Sequence, residues 1–273
     1  MQRGAEKLDI IVCVKQVLDH DIPPRDFKVD EEAKAVVPPS NVSPVISNFD
    51  EYAVEEAILL KEAHGGTITV LTAGGDSARD LLKKCMAMGC DEAVLLQDSA
   101  FEGSDPFGIA RILAGAIRKI GAFDIILCGR ISSDWSQGAT ALALAEALDL
   151  PSASQLIKID VNGEKLRCER VLEDGEEIVD ISTPCLLTAS NEINTPRLPS
   201  VKGILMASRK QIPVWAAGDI GVDAATVGAG AATLELTRLY KPDLSTQCEF
   251  IEADSLEEAA DKLGDRLRED KII

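Results

Sequence analysis

Residues 124–140 read DIILCGRISSDWSQGAT. The run DIILCGR (124–130) is short, apolar and bounded by polar residues, the pattern of a fully buried strand. Small polar residues follow, and a helical run then extends from about Gly138 to Leu148, with Pro151 beyond it. A strand, a small-residue loop and a helix start, in that order, present backbone N–H groups and a positive dipole end to an anion. The strand pattern recurs in DIIVCVK (9–15), TITVLTAGG (67–75) and EAVLLQD (92–98).

Helical segments separate these strands. The helix DEYAVEEAILLKEA has Ser47 or Asn48 as its expected cap, with Asp50 or Glu51 completing a capping box and Gly65-Gly66 ending it. SARDLLKKCMAM is expected to be capped by Asp76, to bury Leu81, Leu82, Cys85 and Met88 on one face, and to stop at Gly89. Asp105-Pro106 opens FGIARILAGAIRKI with proline in the first turn. Alternation of this kind predicts an α/β fold with a parallel sheet covered on both faces. Ligands of such sheets bind beyond the carboxyl ends of the strands, where strand order reverses. Val14-Lys15, Thr72-Ala73-Gly74-Gly75 and the loop after Cys128 should therefore converge on one crevice.

The pattern changes after Pro151. QLIKIDVNGEKLRCERVLEDGEEIVDISTPCLLTAS reads as several strands turning at Asn162-Gly163 and Asp174-Gly175, a β-hairpin extension of the same domain. From about residue 191 to 245 periodicity is sparse. So long an aperiodic stretch is either disordered or laid across a partner, and Ile204, Leu205, Val214, Trp215 and Ile220 favour the partner. A last helix, SLEEAADKLGDRLRED, follows.

Composition narrows the function classes. The 273 residues carry a formal net charge of −18, which argues against nucleic acid. No apolar run approaches the length of a membrane span, and the stretch MQRGAEKLD before the first strand is too short for a signal peptide. Seven cysteines without a C-x-x-C pair read as buried thiols in a reducing, cytoplasmic setting. The histidines, His20 and His64, lack nearby ligands at zinc spacing, so no metal site is expected. No Ser/His/Asp set, phosphate-loop lysine or GxGxxG after the first strand marks a catalyst.

Several segments together resemble the β subunit of electron-transfer flavoprotein: VCVKQVLD (12–19), FDEYAVEEAILLKEA (49–63), AMGCDEAVLL (87–96), VLEDGEEIVDISTPCLLTAS (171–190), NTPRLPSVKGILMASRK (194–210) and GDIGVD (218–223). The resemblance implies a parallel, Rossmann-like nucleotide-binding sheet of the adenine nucleotide α-hydrolase-like kind over 1–190. It also implies a partner-recognition loop and an extended C-terminal arm wrapping an α subunit over 191–273. The function implied is that of an electron-carrier subunit without substrate chemistry of its own. The heterodimer would hold an FAD shared with the α subunit and take electrons from an acyl-CoA dehydrogenase-type partner, as in fatty acid oxidation, or from other dehydrogenases. AMP is the second nucleotide implied, with a second FAD as the alternative.

The resemblance also assigns residues. Gly129, Arg130, Ile131, Ser132, Ser133, Asp134, Trp135, Ser136, Gln137, Gly138, Ala139 and Thr140 span the AMP-binding stretch, although the usual Asp-Asp-x-Asn-Gln-Thr-Gly wording is replaced here. Cys13, Ser47, Asn48, Asp50 and Ala73 border the same pocket. Trp135 is open to two readings, stacking on a base or packing on the partner. Phe49 and His20 take positions that approach the flavin ring, with His20 replacing a more usual aromatic. Arg197, Leu198, Pro199, Ser200 and Val201 match the loop that grips a partner dehydrogenase, with Val201 in place of the usual leucine and Lys202 where proline is usual. A function of a different class, a stand-alone adenine-nucleotide-binding or hydrolysing module on the same architecture, is set against the carrier reading.

Overall fold

The computed structural model describes residues 7–40, 42–163, 165–242 and 248–273. Nine strands form one sheet. In chain order they are β1 (Ile10–Cys13), β2 (Ile68–Ala73), β3 (Glu92–Leu96), β4 (Ile125–Gly129), β5 (Ser152–Asn162), β6 (Lys165–Leu172), β7 (Gly175–Ser182), β8 (Cys185–Ala189) and β9 (Val214–Trp215). Their order across the sheet is β7-β6-β5-β8-β4-β1-β2-β3-β9. From β5 through β8, β4, β1, β2 and β3 to β9 all neighbours pair in parallel, whereas β5-β6 and β6-β7 are antiparallel. The expected α/β sheet with its hairpin extension is thus present.

Alternation along the strands builds two cores. Ile10 and Val12 of β1 join one apolar cluster with α1 (Asn48–His64) and α2 (Ala78–Met88). Ile11 and Cys13 join the other, with α3 (Pro106–Ile120) and α4 (Ala139–Leu148). A sheet buried on both faces needs apolar residues at every position, which is why its strands read as continuous runs. The chain leaves β1 for β2 on one side and reaches β4 on the other, so strand order reverses between β1 and β4. Cys13 and Cys128 are register partners at that point.

Some local expectations change. Ser47 is the N-cap of α1, but its side chain makes no capping bond and no capping box forms. Its Oγ instead accepts from Ser133 N at 3.2 Å, and Asp50 is drawn into the crevice described below. Ser77, not Asp76, caps α2 and does so without a side-chain bond, while the Asp76 carboxylate meets Arg79 Nε at 3.4 Å. Asp105 caps α3 as expected, accepting from Gly108 N at 2.8 Å.

The chain forms two compact units. One comprises the chain up to Lys28 with Val36–Thr237, and the other comprises Val29–Ala35 with Arg238–Ile273. Within the first, the segment after 191 contains α5 (Val201–Arg209) and β9, and Ile220 is buried in that unit. Ala207 is the buried residue of α5, whereas Val201, Ile204 and Leu205, at helical spacing, are exposed. The close approach of α5 to α2 is permitted by Gly203, where a Cβ would lie 2.2 Å from Ala87 O. The second unit holds α6 (Leu256–Glu269), capped by Ser255, with no buried residue. Residues 1–6 of the leading stretch and 243–247 of the expected arm lie outside the described residues.

Candidate functional site

The carboxyl ends of β1, β2 and β4 open into a cavity of about 620 Å³, within the range of small-molecule sites. Cys13, Val14 and Lys15 contribute from β1, Ala73 from β2, and Cys128 and Gly129 from β4. The loop after β4 adds Arg130, Ile131, Ser132, Trp135, Gln137 and Gly138, and α4 adds Thr140, Ala141 and Leu144. The crevice forms where the strand order reverses, for the topological reason given above.

Asp50 ties the crevice together. It sits in the first turn of α1, and its two oxygens accept from Lys15 N at 2.7 Å and Gly129 N at 3.0 Å. One carboxylate thereby fixes the ends of β1 and β4 against the start of α1. Burial pushes the Asp50 carboxyl up to about 7, although both N–H bonds and the Lys15 charge oppose the shift. Gly129 must be glycine for this contact. A Cβ there would lie 2.5 Å from Asp50 Oδ1 and 2.7 Å from the Phe49 carbonyl carbon.

The rim is charged and the floor is not. Lys15 Nζ meets Asp134 Oδ1 and Oδ2 at 2.8 Å. Burial opposes ionisation of Asp134, but the Lys15, Ser132 and Trp135 donors together hold its carboxyl below the usual value. On the floor, the hydrogen bond with Cys13 and then burial push the Cys128 thiol well up, so it is no ready nucleophile. Gly138 caps α4 without any side-chain acceptor, leaving the first N–H groups of the helix open to a ligand. Arg130 Nε and Ser133 Oγ are buried without a partner in the structure. Arg130 lines the cavity, so its orphaned Nε marks where a polar ligand would be held.

Eleven of the sequence-assigned cofactor residues line this cavity: Cys13, Asp50, Ala73, Gly129, Arg130, Ile131, Ser132, Trp135, Gln137, Gly138 and Thr140. Ser47, Asn48, Phe49, Ser133, Asp134, Ser136 and Ala139 flank it without lining it. The Phe49 ring packs under the Arg130 guanidinium at 4.8 Å. His20 is apart from the cavity lining, half exposed and 3.8 Å from Asp21. With Asp19 and Asp21 it makes the one group among the described residues whose acidic and imidazole atoms lie within 4.8 Å, on an exposed turn. Sequence reasoning missed the far wall, formed by Gly103, Ser104, Asp105, Pro106, Ile109 and Leu113 with Leu234, Glu235 and Leu236. The Asp105-Pro106 helix start was its one visible signal.

The second assigned region divides in two. Arg197 turns inward: its Nη2 is 2.9 Å from Glu55 Oε1 and its Nη1 2.6 Å from Glu62 Oε1, both on α1. Donation to the Glu62 and Glu55 carboxylates holds the guanidinium protonated, its pKa raised further above the ordinary arginine value. Asn194 Nδ2 donates to Glu56 Oε2 at 3.0 Å and to Tyr52 O. Leu198 and Val201, by contrast, are 91% and 86% exposed. Ser200 caps α5, accepting from Gly203 N.

The chain matches the electron transfer flavoprotein domain over residues 36–220. It is 36% identical over 267 residues to the electron transfer flavoprotein subunit beta of Thermoanaerobacterium thermosaccharolyticum, covering 97% of this chain and 100% of that one. The subunit beta of Clostridium acetobutylicum is 34% identical over 266 residues, with 97% and 100% covered. The caffeyl-CoA reductase-Etf complex subunit CarD of Acetobacterium woodii is 33% identical over 265 residues, with 97% and 99% covered.

Proposed function

The chain belongs to the electron transfer flavoprotein family as a β-subunit-type member, and from that premise we propose that it is the carrier subunit of a heterodimer that holds an adenine nucleotide in the crevice between β1 and β4. The observation that carries this reading is the cavity itself. It combines a helix N-terminus without a side-chain cap, a cationic rim at Lys15 and Arg130, and the orphaned Arg130 Nε. These groups fit a phosphate and ribose. N–H groups at the start of α4 and the Arg130 guanidinium would take the phosphate. Asp134, already paired with Lys15, would face away from the phosphate, since two anions in contact repel. If the nucleotide is AMP, it stabilises the fold by mass action and carries no electrons.

The redox group of the heterodimer is an FAD held mainly by the α subunit, which supplies the reversible acceptance of electrons. On this chain Phe49, fixed under Arg130, is suited to approach a flavin, because a nearby charge tunes its potential. His20 is exposed and free to meet a partner chain. Leu198 and Val201, held outward by the inward anchor Arg197, are suited to dock on a dehydrogenase. One relative's name places it in a complex with caffeyl-CoA reductase, which supports a partner acting on acyl-CoA thioesters. The exposed α6, with Leu256 92% exposed, supports a C-terminal arm that lies on the α subunit.

The test is to denature the purified heterodimer and count the nucleotides released. One FAD and one AMP per heterodimer is the expected result. Two FADs would make the crevice a second redox site, and FAD alone would remove the role proposed for residues 129–140.

A further inference from the structure

The far wall of the cavity is made by two segments distant in sequence, and a single carboxylate joins them. Asp105 Oδ1 caps α3 by accepting from Gly108 N at 2.8 Å. Its Oδ2 accepts from Thr233 N at 2.7 Å, Thr233 Oγ1 at 2.8 Å and Leu234 N at 3.2 Å. Segment 233–236 is outside every regular element, yet Leu234, Glu235 and Leu236 all line the cavity. Two further bonds lead the chain into this position: Gly228 N donates to Ser104 Oγ at 2.7 Å and Ala229 N to Glu102 O at 2.9 Å.

We propose that segment 233–236 is a strap closing the nucleotide cavity, and that Asp105 is the positioning residue whose grip on it sets how fast the nucleotide leaves. This rests on the reading of the crevice as an adenine-nucleotide site. The two walls differ in kind. The loop 129–140 offers polar groups and a helix end, which bind. The strap offers Leu234 and Leu236, which line the cavity with Ile109 and Leu113, exclude water and must move aside for a ligand to escape. Leu234 is 50% and Leu236 37% exposed, so core packing alone does not hold them in place. Asp105 is well suited as the grip. Burial works against its charge, but the four donors outweigh that cost and hold its carboxyl down at about 2, so the bonds persist at neutral pH.

Asp105→Asn is the informative variant. One oxygen is kept for the α3 cap, and an amide replaces the oxygen that takes three donors from the strap. The full chain, purified with its α subunit and loaded with AMP, is followed by two readouts: the rate of AMP release, and hydrogen exchange at the Thr233 and Leu234 amides. Release about tenfold faster, with faster exchange at both amides, is expected. Leu236→Ala, which leaves Asp105 untouched, should also speed release and serves if the first variant does not fold. Faster amide exchange with unchanged AMP release would overturn the strap alone. A wild-type complex that retains no AMP would overturn the cavity reading and the strap with it.

Discussion

The loop at 129–140 and the loop at 194–200 both lean on α1, the first on its opening turn through Asp50 and the second on its middle through Glu55 and Glu56. Their chemistry differs. Asp50 is buried against backbone N–H donors with no cation in hydrogen-bond contact, so its carboxyl is pushed up to about 7. Glu55 is equally buried but is paired with the Arg197 guanidinium, and the same guanidinium lowers Glu62. The cavity loop is thus held by its backbone and leaves polar side-chain atoms such as Ser133 Oγ unspent. The 194–200 loop spends its charge inward and turns apolar side chains out. One arrangement suits receiving a small polar ligand, and the other suits docking on a surface.

The largest effect should come from the point where the cavity loop meets α1. Gly129→Ala puts a methyl group within 2.8 Å of Asp50 N and closer still to Asp50 Oδ1, and backbone cannot yield as a side-chain tip would. A loss of about 3 kcal/mol in denaturant unfolding is expected from overpacking, together with loss of bound nucleotide. Normal stability with normal nucleotide content would show that the contact between β4 and α1 is loose, and the contrast between the loops would fail.

The second loop should break differently. Arg197→Ala leaves the buried Glu55 carboxylate without its cation. Removing one partner of a fully buried pair costs about 3–5 kcal/mol, and partial exposure of Arg197 reduces the expectation to about 2 kcal/mol. Nucleotide content should not change, because the bonds that shape the cavity arise from Asp50. Nucleotide loss in this variant, measured by release on denaturation, would show the two ends of α1 to be coupled.

How far these regions were legible in sequence follows from the range of the contacts that build them. Strands β1 to β4 are continuous apolar runs, and their ends predict the crevice because parallel topology alone puts it there. Gly129 to Thr140 is one uninterrupted stretch, so its placement follows from the strand and helix that bracket it. The strap was invisible: Asp105 reaches Thr233 across 128 residues, and nothing in TLEL marks a wall. Asp50 lies at the pocket to which the resemblance assigns it, and only its expected capping box does not form. An acid in a first helical turn fits a capping box, and only the approach of β1 and β4 draws it elsewhere. The pairing of Arg197 with Glu55 was not legible either, because it joins residues 142 apart in sequence.

The smallest effect on the fold should accompany a clear effect on electron delivery. Val201 opens α5 at 86% exposure, and its side chain adds little to the core. Val201→Asp should therefore alter unfolding free energy by no more than about 0.5 kcal/mol. An acid at N1 even complements the helix dipole, so any loss of function in this variant cannot be assigned to a weakened α5. If the outward face of the loop docks a dehydrogenase, the new charge must be desolvated on contact and transfer should slow, by about tenfold for a penalty near 1.4 kcal/mol. Flavin and nucleotide content should stay at wild-type levels, since the cavity lies on the other loop. Transfer at the wild-type rate would mean that the exposed side chains of 198–201 meet no partner, and that only the inward bonds of this loop have a function.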